Sequence, residues 1–450
     1  MNLPEAFSLQ MQQILGDAYP AFVESLSMPA PTTIRLNSRK PLATPLAAGE
    51  PVLWHPQAYY LAERPVFTLD PAFHAGAYYV QEASSMFVAE AIKQVADTTQ
   101  PLKVMDLCAA PGGKSTLLAS LLNQDSLLVA NEVIKSRVGV LKENLEKWGY
   151  PNYIVSNHDP EEMVDLEGFF DVVLTDAPCS GEGLFRKDPQ AMNEWSENSV
   201  QLCCARQRRI LQAAAMLVAQ NGILCYSTCT YNEKENEANA QWLTQVADFE
   251  PIKLNIPAEW GVTERKYGYQ FFPHKTKGEG FYLAVFRKTK GEKQESRGKI
   301  KLNRLPQKKA ETLKEWLKEP ARFEYYEKPD GQIVAIPAGL THHYATVFRA
   351  LQKRSSGLEI GQFKGNDFIP SHGLALSTAI ATDLPAVELS KEDALRFLKK
   401  ENLTVSLADQ PKGWLLARYE GLNLGFMKVI GDRINNYLPK EWRIRMEIPE

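Results

Sequence analysis

The chain is poor in the residues that build metal and disulfide centres. Its 450 residues hold six cysteines and seven histidines. No Cys-x-x-Cys pair or flanking histidine gives a zinc-ligand spacing, so no metal is expected. No uninterrupted apolar run reaches the length of a membrane span; AAAMLVA is stopped by Gln220, Asn221 and Gly222. The opening MNLPEAFSLQ has no basic run ahead of an apolar stretch. No secretory signal is therefore expected, the cytoplasm is the expected location, and a disulfide framework is not anticipated there. Positive charge is not in excess either. A formal net charge of −3 excludes a protein held on nucleic acid by bulk electrostatics and confines any such contact to a local patch. No repeat of fixed period is present. A monomer is expected.

What is present is globular and long enough for several domains: 44% hydrophobic and 23% charged residues leave ample material for a core. The first forty residues pattern as helix and then turn, with TTIRLNSRK alternating as a short strand. From about residue 100 apolar strand-like runs alternate with helical patterns: KVMDLCA, LLVANEV, NYIVSNHD, FFDVVLTDAP and GILCYSTCT, with helices through STLLASLL, SRVGVLKENLEKWG, QRRILQAAAMLVAQ and EKENEANAQWLTQVA. That alternation predicts an α/β fold built on a doubly wound, mostly parallel sheet, with FYLAVFRK as a closing antiparallel strand. The expected divisions are an N-terminal α/β region over 1–99 and the sheet domain over 100–288. A basic linker follows over 289–309, then an intermediate domain over 310–378 and a small β-rich module over 379–450. From Arg287 to Lys309 ten Lys or Arg face two Glu; a solvated linker and an RNA-phosphate contact both fit that run.

The segment Asp106 to Ser115, DLCAAPGGKS, follows a strand and opens a helix. It is not a P-loop, because Cys108 stands where the first glycine is needed, and it is not a Gly-x-Gly-x-x-Gly fingerprint. Its small residues still admit a ligand close to the backbone, which suits the methionine part of S-adenosylmethionine. Carboxylates then recur at strand ends: Glu132 placed for ribose hydroxyls, Asp159 for an adenine amino group, and Asp176 beyond the fourth strand. Each alone fits a helix N-cap equally well. Their recurrence in register fits a nucleoside carrying a cationic sulfonium and ill suits a triphosphate.

Two cysteine-bearing segments, DAPCSGEG with Cys179 and STCT with Cys229, fall at the same sheet edge. Carbon 5 of cytosine is a poor nucleophile. A thiolate adding to carbon 6 makes carbon 5 enamine-like, and an acid at ring nitrogen 3 stabilises the product of addition. Asp176, Cys179 and Cys229 supply such a set, and by chemistry alone either cysteine can attack.

LCAAPGGKS, DAPCSGEG and YSTCTYN resemble the motifs of the NOP/Sun family of RNA cytosine-5 methyltransferases, in the same order, over roughly residues 1–290. The resemblance implies a class I S-adenosylmethionine-dependent methyltransferase fold. It implies that Cys108, Ala109, Ala110, Pro111, Gly112, Gly113, Lys114, Glu132, Asp159 and Asp176 bind the cofactor, with Arg137 beside them. It makes Cys229 the nucleophile, with Cys179 helping to eliminate enzyme from product and Lys114 free to reach the target base. The N-terminal LPEAFSLQMQQILGDAYPAFVESL and the tail GWLLARYEGLNLGFMKVIGDRINNYLPKEWRIR resemble the bacterial small-subunit ribosomal RNA members, the tail as a PUA-like RNA-binding module. The partner so implied is 16S ribosomal RNA or the 30S subunit. A DNA cytosine-5 enzyme, with Pro178-Cys179 as its nucleophile, would leave Cys229 unexplained. The motifs also leave room for a tRNA enzyme and for a non-catalytic assembly factor.

Overall fold

In this computed structural model, which describes residues 3–43, 48–404, 410–431 and 433–448, the strand Lys103–Asp106 is buried at every position, as are Leu127–Asn131 and Tyr153–Ser156. Burial on both faces is what a parallel sheet covered by helices imposes. Lys103–Asp106 pairs in parallel with Leu127–Asn131 on one side and Phe170–Asp176 on the other. Tyr153–Ser156 and Val218–Thr228 extend the parallel sheet outward. Phe281–Lys288 closes it antiparallel to Val218–Thr228, as FYLAVFRK predicted. Chain order therefore reverses across Lys103–Asp106. That switch point opens a crevice at the carboxyl ends of the strands, where register sets Asp106 near Leu174 and Asp176 beside Ser227.

The helix expected through QRRILQAAAMLVAQ begins earlier and stops sooner, as Glu197–Leu217. Ser196 and Ser199 cap its start reciprocally, satisfying the first-turn donors. Val218 already belongs to the next strand. The helix through EKENEANAQWLTQVA starts only at Glu237, after Asn236, whose backbone is non-helical and whose side chain bonds Thr228, Thr230 and Gln270.

The regions around the sheet share its cores. Residues 310–378 lend the strand Arg354–Ser356, antiparallel to Tyr153–Ser156, and the helix Thr341–Ala350, whose Tyr344, Val347 and Phe348 join the apolar layer over one sheet face. The basic segment starts where the strands start. Gln294 N–H donates to Gly168 O, Lys293 pairs with Asp171 at 2.9 Å, and Lys288 Nζ donates to the carbonyls of Ala215 and Val218. Its first half is therefore anchored at the end of the sheet opposite the crevice. The helices Glu5–Leu15 and Tyr19–Leu26 pack Phe7, Met11, Phe22 and Leu26 on Phe185, Trp195 and Tyr231. Thr32–Leu36 is a strand, but Thr33, Ile34 and Arg35 are all buried, because the N-terminal sheet is covered on both sides. WLLARYE and LGFMKVIG form the hairpin Gly413–Tyr419 and Leu422–Ile430 of a four-stranded C-terminal sheet. No helix among the described residues is long and apolar enough to cross a membrane.

Candidate active site

The segment after Lys103–Asp106 is held through its own carbonyls and amides. Ala109 N–H donates to Asn131 O at 2.8 Å, Arg137 donates to Ala110 O at 2.6 Å, and Asn144 donates to Pro111 O at 2.8 Å. Gly112 sits at φ 114°, a left-handed value that favours glycine, and turns the chain into the helix Gly113–Leu121. Beneath the turn, Asp106 is fully buried; its Oδ2 accepts from Ser115 at 2.6 Å, and its Oδ1 has no partner among the described residues. Burial pushes this carboxyl up to about 7, with Asp176 and Glu132 adding to the rise.

Glu132 is nearly buried, accepts from Ile134 N–H at 2.8 Å and lies 3.4 Å from Arg137. Asp176 takes Lys114 Nζ at 2.8 Å on one oxygen and Ser227 at 2.7 Å on the other. Burial opposes the charge of Lys114, yet Asp176 and Cys229 outweigh it and raise the lysine above its usual value. Asp159 differs from these. It caps the turn Pro160–Leu166 by accepting from Glu161 N–H and pairs with Arg209 at 3.1 Å. It has the N-cap role that such a residue also fits, and none of its contacts reach the other acids.

Cys179 and Cys229 meet, with their sulfurs 3.0 Å apart. The hydrogen bond to Cys229, and then burial, push the Cys179 thiol well above the usual range. Burial also pushes up Cys108. Cys225 is buried in the core, while Cys203 and Cys204 are half-buried on the helix Glu197–Leu217. Cys108 through Lys114, Glu132, Arg137, Asp176, Cys179 and Cys229 thus form one continuous site.

Two buried acids beside the cysteines escaped the sequence patterns. Glu182 accepts from Trp195 Nε1, Tyr231 N–H, Asn232 and Gln10, so it joins the N-terminal helix to both cysteine segments. Glu235 accepts from the backbone and hydroxyl of Ser180 and from Gln207. An acid inside the small-residue turn SGEG was the available signal for Glu182; its partners come from three distant segments.

Asp176 and Glu132 are balanced by Lys114 and Arg137, and Asp106, raised to about 7, adds a third negative charge to the crevice only as it ionises. That donor set fits a cationic sulfonium nucleoside. No group of His, Cys, Asp and Glu suited to a metal is found among the described residues.

Residues 93–287 match the family described as 16S rRNA methyltransferase RsmB/F. Residues 3–83 match the N-terminal domain of 16S rRNA methyltransferase RsmF, and 384–444 match the methyltransferase RsmF PUA domain. A ribosomal RNA small subunit methyltransferase F from Erwinia tasmaniensis is 31% identical over 97% of this chain and 96% of its own. One from Vibrio campbellii is 31% identical over 98% and 97%. Among solved structures, a methyltransferase homolog protein from Pyrococcus horikoshii aligns with TM-score 0.55 and 26% identity, covering 63% of this chain and 95% of its own. NSun6 from the same organism, solved with SFG, has TM-score 0.54 at 20% identity over 64% and 99%, and shares the fold.

Proposed function

Given that the chain belongs to the ribosomal RNA small subunit methyltransferase F family, we propose that it methylates carbon 5 of cytosine in 16S ribosomal RNA through a covalent link to Cys229. The observation that carries this reading is the pair of thiols 3.0 Å apart, beside the Lys114–Asp176 ion pair. An exocyclic-amine methyltransferase has no use for two thiols. S-adenosylmethionine, held by Glu132 and the Cys108–Lys114 segment, supplies an electrophilic methyl group on a sulfonium.

Cys229 gives up its thiol proton, its Sγ adds to carbon 6 of the base, and the electron density that this pushes to carbon 5 lets carbon 5 take the methyl group from the sulfonium, whose sulfur leaves as a neutral thioether. Asp176 delivers a proton to ring nitrogen 3 as the thiol adds and takes it back at the elimination, and Lys114, ion-paired to the carboxylate, keeps it in place and offers its own ammonium to the base. The carbon 5 proton then leaves to a base. The double bond between carbons 5 and 6 re-forms, and the carbon 6–sulfur pair returns to Cys229. Cys179 assists this last elimination. The 30S subunit as partner, a monomeric state and a cytoplasmic location belong to the same proposal, as do the domain limits near residues 99, 288, 309 and 378. The match of residues 384–444 to a PUA domain supports a second RNA contact there.

Denaturing electrophoresis with RNA and methyl donor tests the assignment. Cys229→Ala is expected to show neither turnover nor a retarded protein–RNA band, and Cys179→Ala to accumulate one. The reverse pattern would make Cys179 the nucleophile, as in a DNA-type enzyme.

A further inference from the structure

We infer that Glu235 and Gln207 are positioning residues for product release, gripping both flanks of Cys179 so that its thiol faces Cys229. The inference rests on the proposed division of labour between the two cysteines. Glu235 is fully buried. Its carboxylate accepts from Ser180 N–H at 2.9 Å, from the Ser180 hydroxyl and from Gln207 Nε2 at 2.9 Å. The same Gln207 amide donates to Pro178 O at 3.0 Å. The residues on either side of Cys179 are thus fixed by one carboxylate and one amide.

The grip extends to the other cysteine. Ser180 Oγ lies 3.1 Å from Thr230 Oγ1, next in sequence to Cys229. Gly183 N–H donates to Cys229 O at 2.8 Å. Glu235 is itself anchored, since its carbonyl accepts from Tyr226 Oη at 2.5 Å and from Asn239 at 3.0 Å, and Asn239 also donates to Gln207 Oε1. A buried carboxylate surrounded by donors on this scale is costly to place, and three donors from two segments satisfy it. Glutamine keeps one oxygen for the Ser180 amide and Gln207, and its own amide can donate to the Ser180 hydroxyl, so the conservative variant preserves the grip and alanine removes it.

In the elimination, a solvent water takes the carbon 5 proton, that carbon–hydrogen pair becomes the ring double bond, and the carbon 6–sulfur pair returns to Cys229, whose departing sulfur the Cys179 thiol stabilises by its hydrogen bond. A displaced Cys179 would impair this step and leave the earlier addition intact. Glu235→Ala is therefore expected to bind donor normally and to form the Cys229–RNA adduct, while Glu235→Gln should stay near the wild type. Turnover of Glu235→Ala should slow by about tenfold or more as the adduct builds up, as in Cys179→Ala. Ser180→Ala, which deletes only the hydroxyl, should do the same more weakly and keeps the test available if Glu235→Ala does not fold. A merely structural role would lower thermal stability and donor affinity without trapping the adduct. Wild-type turnover in Glu235→Ala or, if that variant does not fold, in Ser180→Ala, or equal loss of adduct and turnover with donor binding intact, would overturn the inference. Turnover by Cys229→Ala would instead sink the reading on which it rests.

Discussion

At the scale of single residues, the acids around the crevice make the sharpest demands. Glu132→Ala strips the partner of Arg137 and of the Ile134 amide as well as the carboxylate offered to ligand. Calorimetry should find S-adenosylmethionine binding weakened by about 2 kcal/mol, the worth of charge-assisted hydrogen bonds; unchanged affinity would remove Glu132 from the site. Asp106 gives a pH dependence. Its carboxyl is raised to about 7 by burial and by neighbouring acids. Below that pH it is neutral, and above it adds a negative charge near a ligand that is cationic. Donor affinity should accordingly rise between pH 6 and 8, by up to about tenfold per unit, and Asp106→Asn should flatten the rise. A pH-independent affinity in the unmodified chain would exclude the coupling. Cys179, Cys229, Lys114 and Asp176 were readable from sequence because the motifs holding them end adjacent strands. Glu235 and Gln207 were not, since their meaning lies in a contact between a helix and a loop about thirty residues apart in the chain.

At the scale of elements, alternation of apolar runs with helical periodicity was enough to foresee the sheet, its direction and its closing strand. Arg354–Ser356 could not be foreseen: Arg-Ser-Ser carries no apolar pattern, and it is a strand only because Tyr153–Ser156 offers it an unpaired edge. The turn from Gly181 to Leu184 makes a further demand that periodicity does not reveal. A Cβ on Gly183 would stand 2.6 Å from the carbonyl oxygens of both Cys229 and Gly280. Neither backbone can yield without moving a strand end. Gly183→Ala should cost about 1–3 kcal/mol of stability, as overpacking does. It should also slow methylation by separating the two cysteine segments. Wild-type melting together with wild-type turnover would show that the turn relaxes freely.

At the scale of the whole molecule, the boundary near residue 290 is a boundary in sequence pattern and not in packing. Tyr326, Val334, Ile336, Leu340, Tyr344, Val347, Phe348 and Leu351 are buried in the layer that covers one face of the methyltransferase sheet. Tyr344 also donates to Tyr153 O at 3.0 Å. Each such side chain contributes about 1.5–3 kcal/mol when fully buried, so together they are worth on the order of 10 kcal/mol. That is comparable to the whole stability of a typical domain, about 5–15 kcal/mol. A chain ended at residue 290 would keep every residue of the crevice and lose the cover of its sheet. It should therefore melt far below the full-length protein, or fail to fold, and bind donor poorly for that reason alone. Ending the chain at residue 383 keeps that layer. It removes instead the module whose Val387, Leu395 and Leu415 pack with Ile34 of the N-terminal sheet and Ala72 of the helix Pro71–His74, and whose Leu416 and Phe426 pack with Trp316, Ile360 and Leu374. This longer fragment loses partners from those two cores and should melt below the full chain but above the 290-residue fragment, retaining donor binding while losing RNA affinity. Its remaining RNA binding should depend less steeply on salt, because fewer phosphates are neutralised. Scanning calorimetry of both fragments, with RNA binding at two salt concentrations for the longer one, decides the point. A 290-residue fragment as stable as the full chain would mean that the layer from 326 to 351 is dispensable cover.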